Sequence, residues 1–169
     1  MSNNYLITGG AGFIGSNYVH QLLSRGENVI ILDNHSRAGA PRNLEWLEKT
    51  FGCDSFRLIR GDVRDASLVA ESARGSDVIV HLAGQVAVTT SVTNPRDDFE
   101  NNALGTFNVV EAARLSGRNP ILIYASTNKV YGGMDDVKVV ERGSRWEYEN
   151  LPFGASETQP LDFHSPYGC

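Results

Sequence analysis

Cysteine is scarce in this sequence. Only Cys53 and Cys169 occur among 169 residues, and they form neither a metal-ligand pattern nor a disulfide framework. No metal site is expected, and the expected setting is a reducing, cytoplasmic one. A surplus of positive charge is also missing: 15 lysines and arginines face 20 aspartates and glutamates, for a net charge of −5. That balance argues against broad binding of nucleic acid or of an anionic membrane. It leaves room for an anionic ligand held locally by a helix terminus and a few placed arginines. No apolar run is long enough to span a bilayer, and the opening Met1, Ser2, Asn3 and Asn4 lacks the basic and apolar regions of a signal peptide. Internal repeats and low-complexity tracts are absent too. What is present is the composition of an ordinary soluble globule, 41% hydrophobic and 21% charged, at a length that suits one domain with a real core.

Glycine is where the chain concentrates its information. In Thr8-Gly9-Gly10-Ala11-Gly12-Phe13-Ile14-Gly15, a short apolar run at 5–7 comes before and a helical pattern over 13–23 follows. That is strand, glycine turn, helix. Gly9 would let the chain leave the strand in a shape that a Cβ opposes. Gly12 would let a pyrophosphate lie close to the main chain, and Gly15 would let the helix pack tightly on the sheet. The first amides of that helix are unpaired and sit at the positive end of its dipole, which suits an anion. Three glycines also fit a plain turn. The wider context favours the cofactor: a β-rich run at 29–32 ends in Asp33, 18 residues beyond Gly15. A carboxylate there meets the hydroxyls of an adenosine ribose.

The remaining chain continues in the same alternation. Residues 34–41 are polar and turn-rich, and a helix over 42–51 carries Leu44, Leu47 and Phe51 on one face. A third strand at 56–60 closes in Gly61-Asp62-Val63, and Asp65 is placed to cap a helix over 66–74. The nearly continuous apolar run at 77–82 suits a parallel strand covered on both faces. Asn94-Pro95 opens a further helix that stops near Gly117 and carries Phe99, Ala103, Phe107 and Val110 on one stripe. A fifth strand follows at 121–124. This pattern predicts an α/β fold, a doubly wound parallel sheet in the order 3-2-1-4-5, with ligands bound beyond the carboxyl ends of the strands. From Tyr131 to Pro166 the regular pattern lapses. Loops of that length inside a compact domain are often functional.

Each strand end offers a candidate. Asp62 and Val63 could receive an adenine, or simply form a capping turn. Leu82, Ala83, Gly84 and Gln85 could let a cofactor lie against backbone, or form a tight turn. Asn102 sits mid-helix, where asparagine is disfavoured, so it either faces solvent or has a task. Thr127 follows the fifth strand, where a hydroxyl could bond a substrate oxygen or only end the strand. Tyr167 reads locally as a packing residue.

Taken together, the glycine segment, the Gly-Asp-Val turn, His81-Leu82-Ala83-Gly84, Asn102 with Gly105-Thr106, and Val130-Tyr131-Gly132 resemble, in order, the extended short-chain dehydrogenase/reductase superfamily of NAD-dependent sugar epimerases and dehydratases. Within it, residues 81–87, 126–132 and 161–169 are similar to a branch that epimerises CDP-linked dideoxyhexoses at C2. The resemblance implies NAD as cofactor and a nucleotide-diphosphate sugar as partner. It places the backbone of Phe13 and Ile14 at the pyrophosphate, in the turn made by Gly9, Gly12 and Gly15, and Asp33 at the adenosine ribose, with Asn34, Ser36 and Arg37 lining the same end. Asp62 and Val63 fall at the adenine, and Leu82, Ala83, Gly84, Gln85 and Asn102 along the middle. Arg37 could meet a 2′-phosphate, but Asp33 would repel it, which favours NAD over its phosphorylated form. Thr127 and Tyr167 fall on the catalytic Ser/Thr and tyrosine positions.

The family's Tyr-x-x-x-Lys lysine would fall two positions beyond Cys169. Its charge favours the phenolate. The expectation is therefore that residues 1–169 form an incomplete NAD-binding domain, the front half of a longer enzyme, inactive alone and homo-oligomeric when whole. A 4,6-dehydratase is the nearest rival, but its Asp-Glu pair is replaced here by Asn128-Lys129. A 4-epimerase for another nucleotide sugar and a non-catalytic NAD-binding module remain as alternatives.

Overall fold

The computed structural model describes residues 2–169. Five parallel strands form the central sheet: β1 (Asn4–Thr8), β2 (Asn28–Asp33), β3 (Arg57–Arg60), β4 (Val78–His81) and β5 (Ile121–Tyr124), in the order β3-β2-β1-β4-β5. This is the expected order. β1 is the middle strand, pairing Leu6 with Ile30 on one side and with Ile79 on the other. Because successive side chains point to opposite faces, neighbours on each strand divide between two cores. Ile7, Ile31 and Val80 enter one with Val19, Leu22, Leu44 and Leu47. Leu6, Leu32 and Ile79 enter the other with Val63, Val69, Val109 and Ala112. Helices α1 (Phe13–Ser24) and α2 (Ala40–Phe51) cover the first face, and α3 (Ala66–Ser72) and α6 (Gly105–Leu115) cover the second. The fold is a doubly wound α/β sheet.

Local chemistry accounts for the boundaries. Asp65 caps α3 by accepting from the Leu68 amide at 3.1 Å. Helix α2 starts at Ala40, two residues before the sequence-based expectation, because Pro41 is preorganised for a first helical turn rather than for the preceding loop. Two segments depart more strongly from expectation. The helix expected from Asn94 is three pieces: α5 (Pro95–Phe99), a π-helical turn (Glu100–Leu104) and α6, preceded by the unforeseen α4 (Val88–Thr93). Asn94 does cap α5, accepting from the Asp97 amide at 3.4 Å. The stripe of Phe99, Ala103, Phe107 and Val110 faces outward, while Gly105, Asn108, Val109 and Ala112 form the buried side of α6. Small residues let α6 sit close to α3 and the sheet.

Within 131–166 the chain makes a hairpin of β6 (Val139–Arg142) and β7 (Arg145–Tyr148), a sheet of its own. Gly143 supplies φ +66° at its two-residue turn, a backbone shape that hairpin turns of the favoured hand require. Among the described residues no helix is long and apolar enough to cross a membrane.

Two outcomes test this packing. Ile31 is fully buried in the first core, so Ile31→Ala should lower unfolding free energy by about 2–5 kcal/mol, read from the urea midpoint at constant slope. His81, at the end of β4, is the largest buried titratable side chain, and burial pushes its imidazole down to about 4 from an ordinary 6.5. The unfolded chain therefore binds a proton that the folded chain refuses. Its contribution is complete above pH 6.5 and is lost as pH falls toward 4, amounting to about 3 kcal/mol. Replacing His81 by glutamine should flatten this part of the stability profile, measured by urea titrations between pH 7 and pH 4.

Candidate functional site

A cavity of about 760 Å³ opens along the carboxyl ends of β1, β2, β4 and β5. The glycine turn after β1 forms its floor. Gly9 has φ +70°, and a Cβ there would lie 2.7 Å from the Ala83 amide nitrogen; a Cβ on Gly15 would lie 2.3 Å from the Gly9 carbonyl oxygen. The turn is pressed against both its own helix and the loop after β4, and side chains are excluded by contact. A Cβ on Gly12 would press on the Gly9 carbonyl oxygen at 3.1 Å, a tight contact, so this position also favours a bare backbone, here at the cavity wall. No side chain caps the start of α1, and its first turn carries no acid. Its leading amides are left for a ligand.

Asp33 closes the β2 end. Its two oxygens accept from the Ala11 amide at 3.0 Å and the His35 amide at 2.8 Å, which pins the carboxylate between the glycine turn and the following loop. Asn43, on α2, donates to the Ala11 carbonyl at 2.8 Å and secures the same turn from the other side. Asn34, Ser36 and Arg37 line this end of the cavity.

The β4 end is held by a clamp. Asn102 lies in the π-helical turn; its side-chain oxygen accepts from the Gln85 amide at 2.8 Å and its nitrogen donates to the Gln85 carbonyl at 3.1 Å. One asparagine thus satisfies both backbone groups of one residue in a bend. The Gln85 side chain donates to Asp98 at 2.9 Å, and Asn102 donates to the same oxygen at 3.1 Å. Burial pushes the Asp98 carboxyl up, with the Gln85 hydrogen bond acting against it.

Thr127 stands beyond β5, where its hydroxyl accepts from the Lys129 amide at 3.2 Å and caps a 3-10 turn (Asn128–Tyr131). Tyr167 lies in a second 3-10 turn (Pro166–Gly168), 40 residues further on. The long connection returns because Asp162 donates its amide to the Val130 carbonyl at 2.9 Å. Gly132, at φ +62°, accepts that approach; a Cβ on it would lie 2.6 Å from the Asp162 carbonyl oxygen. Thr127, Tyr167 and Gly12 consequently line one cavity.

Gly9, Gly12, Phe13, Ile14, Gly15, Asp33, Asn34, Ser36, Arg37, Val63, Leu82, Ala83, Gly84, Gln85 and Asn102 line it as well. Asp62 does not. Its carboxylate is taken up by Arg64, through Nε at 2.9 Å and a terminal nitrogen at 2.8 Å, and by Asn34 at 2.9 Å. The Arg64 hydrogen bond, opposed by burial, holds Asp62 well below the usual carboxylate range. A carboxylate so engaged shapes the turn and holds Asn34, which does line the cavity. Asn43, His81, Asn101, Thr106 and Tyr124 line the cavity without having been foreseen, and Ser126, beside Thr127 in the segment after the fifth strand, lines it too. Asn43 lies in the first turn of α2 and carried no local signal. His81 and Thr106 lie inside the segments that carry the family resemblance, so their positions were visible but their role was not.

The comparisons agree with this architecture. A family model described as GDP-mannose 4,6 dehydratase matches residues 6–169. The CDP-paratose 2-epimerase of Salmonella typhi is 46% identical over 166 residues, covering 97% of this chain and 48% of that relative. The UDP-Glc/GlcNAc 4-epimerase of Campylobacter jejuni superposes with a TM-score of 0.79 at 31% identity, covering 99% of this chain and 45% of that one. The dTDP-glucose 4,6-dehydratase of Streptomyces venezuelae, solved with NAD and TYD bound, gives 0.76 at 34% identity, covering 98% and 47%. The chain spans about half the length of the relatives it matches. A glycine-floored cavity at the switch point of a doubly wound sheet, matched over nearly the whole chain, identifies it as a member of the GDP-mannose 4,6-dehydratase family, within the extended short-chain dehydrogenase/reductases.

Proposed function

We propose that this chain is the NAD-binding part of a cytoplasmic, homo-oligomeric nucleotide-sugar epimerase, acting at C2 of a CDP-linked 3,6-dideoxyhexose. The observation that carries this reading is the return of Tyr167 to the cavity that holds Thr127 and Gly12. A module that only bound nucleotide would have no need to bring residues 127 and 167 together. The residues suit NAD: Gly12 lines the cavity at the uncapped start of α1, and Asp33 is fixed at the far end by two backbone donors. Gly9, Gly12, Phe13, Ile14 and Gly15 would hold the pyrophosphate. Asp33, Asn34, Ser36 and Arg37 would hold the adenosine ribose and its surroundings, and Val63 would pack on the adenine. Leu82, Ala83, Gly84, Gln85 and Asn102 would support the middle of the cofactor, while Asp62 serves by holding Asn34 and Arg64 in place.

Bound NAD supplies a reversible hydride acceptor. Tyr167 takes the proton of a sugar hydroxyl, and Thr127 hydrogen-bonds the same oxygen as it gains carbonyl character. Tyr167 then returns the proton once the configuration at carbon has inverted. A 4,6-dehydratase is the second reading, favoured by the dehydratase relatives. It requires an acid to expel water, and Asn128 and Lys129 at the turn after Thr127 provide no carboxylic acid.

The protein expressed from its natural reading frame should convert CDP-paratose to CDP-tyvelose and leave UDP-glucose unchanged, with product sugars identified by NMR. Conversion of UDP-glucose alone would overturn the substrate assignment, and loss of water from the sugar would favour the dehydratase. Tyr167→Phe removes the base and should lower kcat by about 10²–10⁴-fold, while NAD binding, followed by calorimetry, stays intact.

A further inference from the structure

We propose that His81, as its neutral Nε2–H tautomer, is a positioning residue that sets the turn 82–85 against the cofactor. This role rests on reading the cavity as an NAD site. The protonation pattern follows from two fixed ends. The Ala83 amide can only donate, and it lies 3.3 Å from the Thr8 hydroxyl oxygen. The Thr8 proton is thereby free to point to His81 Nδ1, 2.6 Å away. At the other end the Asn102 carbonyl can only accept, and the Thr106 hydroxyl donates to it at 2.5 Å. Thr106 must therefore accept from its remaining neighbour, His81 Nε2, at 3.0 Å. The order runs Ala83 N–H to Thr8, Thr8 O–H to Nδ1, Nε2–H to Thr106, Thr106 O–H to the Asn102 carbonyl. The other neutral tautomer, or the cation, would leave the Thr8 proton without its acceptor.

This chain of bonds joins segments far apart in sequence. Thr8 is the last residue of β1, immediately before the glycine turn. Ala83 lies in the loop after β4. Asn102 holds Gln85 by both backbone groups. The buried imidazole therefore joins Thr8, whose hydroxyl holds the Ala83 amide, to Thr106, which binds the π-helical turn that carries the Asn102 clamp. Its burial, which pushes the imidazole down to about 4, keeps it neutral near pH 7. An aliphatic side chain could fill the space but satisfy none of these groups, and a half-satisfied buried network loses its geometry.

The experiment pairs a spectrum with binding. Long-range ¹H–¹⁵N correlation on histidine-labelled protein at pH 7 should show His81 with the Nε2-protonated pattern. An Nδ1-protonated or cationic pattern would overturn the assignment. Thr106→Val removes one hydroxyl at constant shape and should weaken NAD binding by calorimetry about tenfold, whereas Thr106→Ser should restore it. His81→Phe should weaken NAD binding at least as much. Unchanged affinity in a folded Thr106→Val variant, or failure of Thr106→Ser to restore it, would show that the contact only stabilises the fold. If the unaltered protein does not bind NAD, the cofactor reading falls and the positioning role with it, and the spectrum still decides the tautomer.

Discussion

The close approach of two turns governs this molecule. β1 sits at the centre of the sheet, and the chain leaving it must pass directly beneath the chain leaving β4. The space between Gly9 and Ala83 does not admit a methyl group. That contact creates a floor made of backbone at the point where the winding of the sheet reverses, so the peptide groups rather than side chains face a ligand. Parallel pairing of β1 with both β2 and β4 brings all the relevant strand ends to one edge. In the proposed reading, the uncapped amides at the start of α1 would hold a phosphate, and the residues around them would set selectivity.

The surroundings are built by polar side chains that bind backbone. Asp33, Asn43 and Asn102 each fix a loop by its amides or carbonyls. This is a rigid way to hold irregular chain, because a buried peptide group left unpaired is costly. The π-helical turn belongs to the same scheme. Its extra residue alters the phase of the helix so that Asn102 faces the loop after β4, and π-turns inside helices recur at functional sites for this reason. Arg64 ties Asp62 to Asp97 at 3.3 Å, linking the turn after β3 to α5. The Asp62 carboxylate is thereby part of the frame around the cavity.

Tyr167 reaches the cavity by a route quite unlike that of the other residues. They come from strand ends, whose positions the sheet dictates. It comes at the end of a connection that includes a separate hairpin and is fastened by the Asp162–Val130 hydrogen bond over Gly132. The proposed chemistry therefore depends on a few contacts outside the sheet, and this segment carries fewer buried residues than the strands do.

Much of this was legible from residue order. Alternating apolar runs and helical stripes are local patterns, and they were enough for five strands, their order and the glycine turn, because a parallel sheet allows few connections. Asp33, Gly12 and the loop 82–85 could be placed from strand ends for the same reason. The hairpin at 139–148 was missed because its strands are short and rich in charge, although Gly143-Ser144 offered a turn signal. The outward stripe on α5 and α6 was visible as a stripe, but its orientation was not, since periodicity says which residues share a face and not which face is covered. The diversion of Asp62 to Arg64 and the hydrogen-bond chain through His81 lay beyond reach altogether. Each depends on which side chains from distant segments arrive within about 3 Å of one another, and such distances exist only after the sheet has assembled and its loops have settled against it.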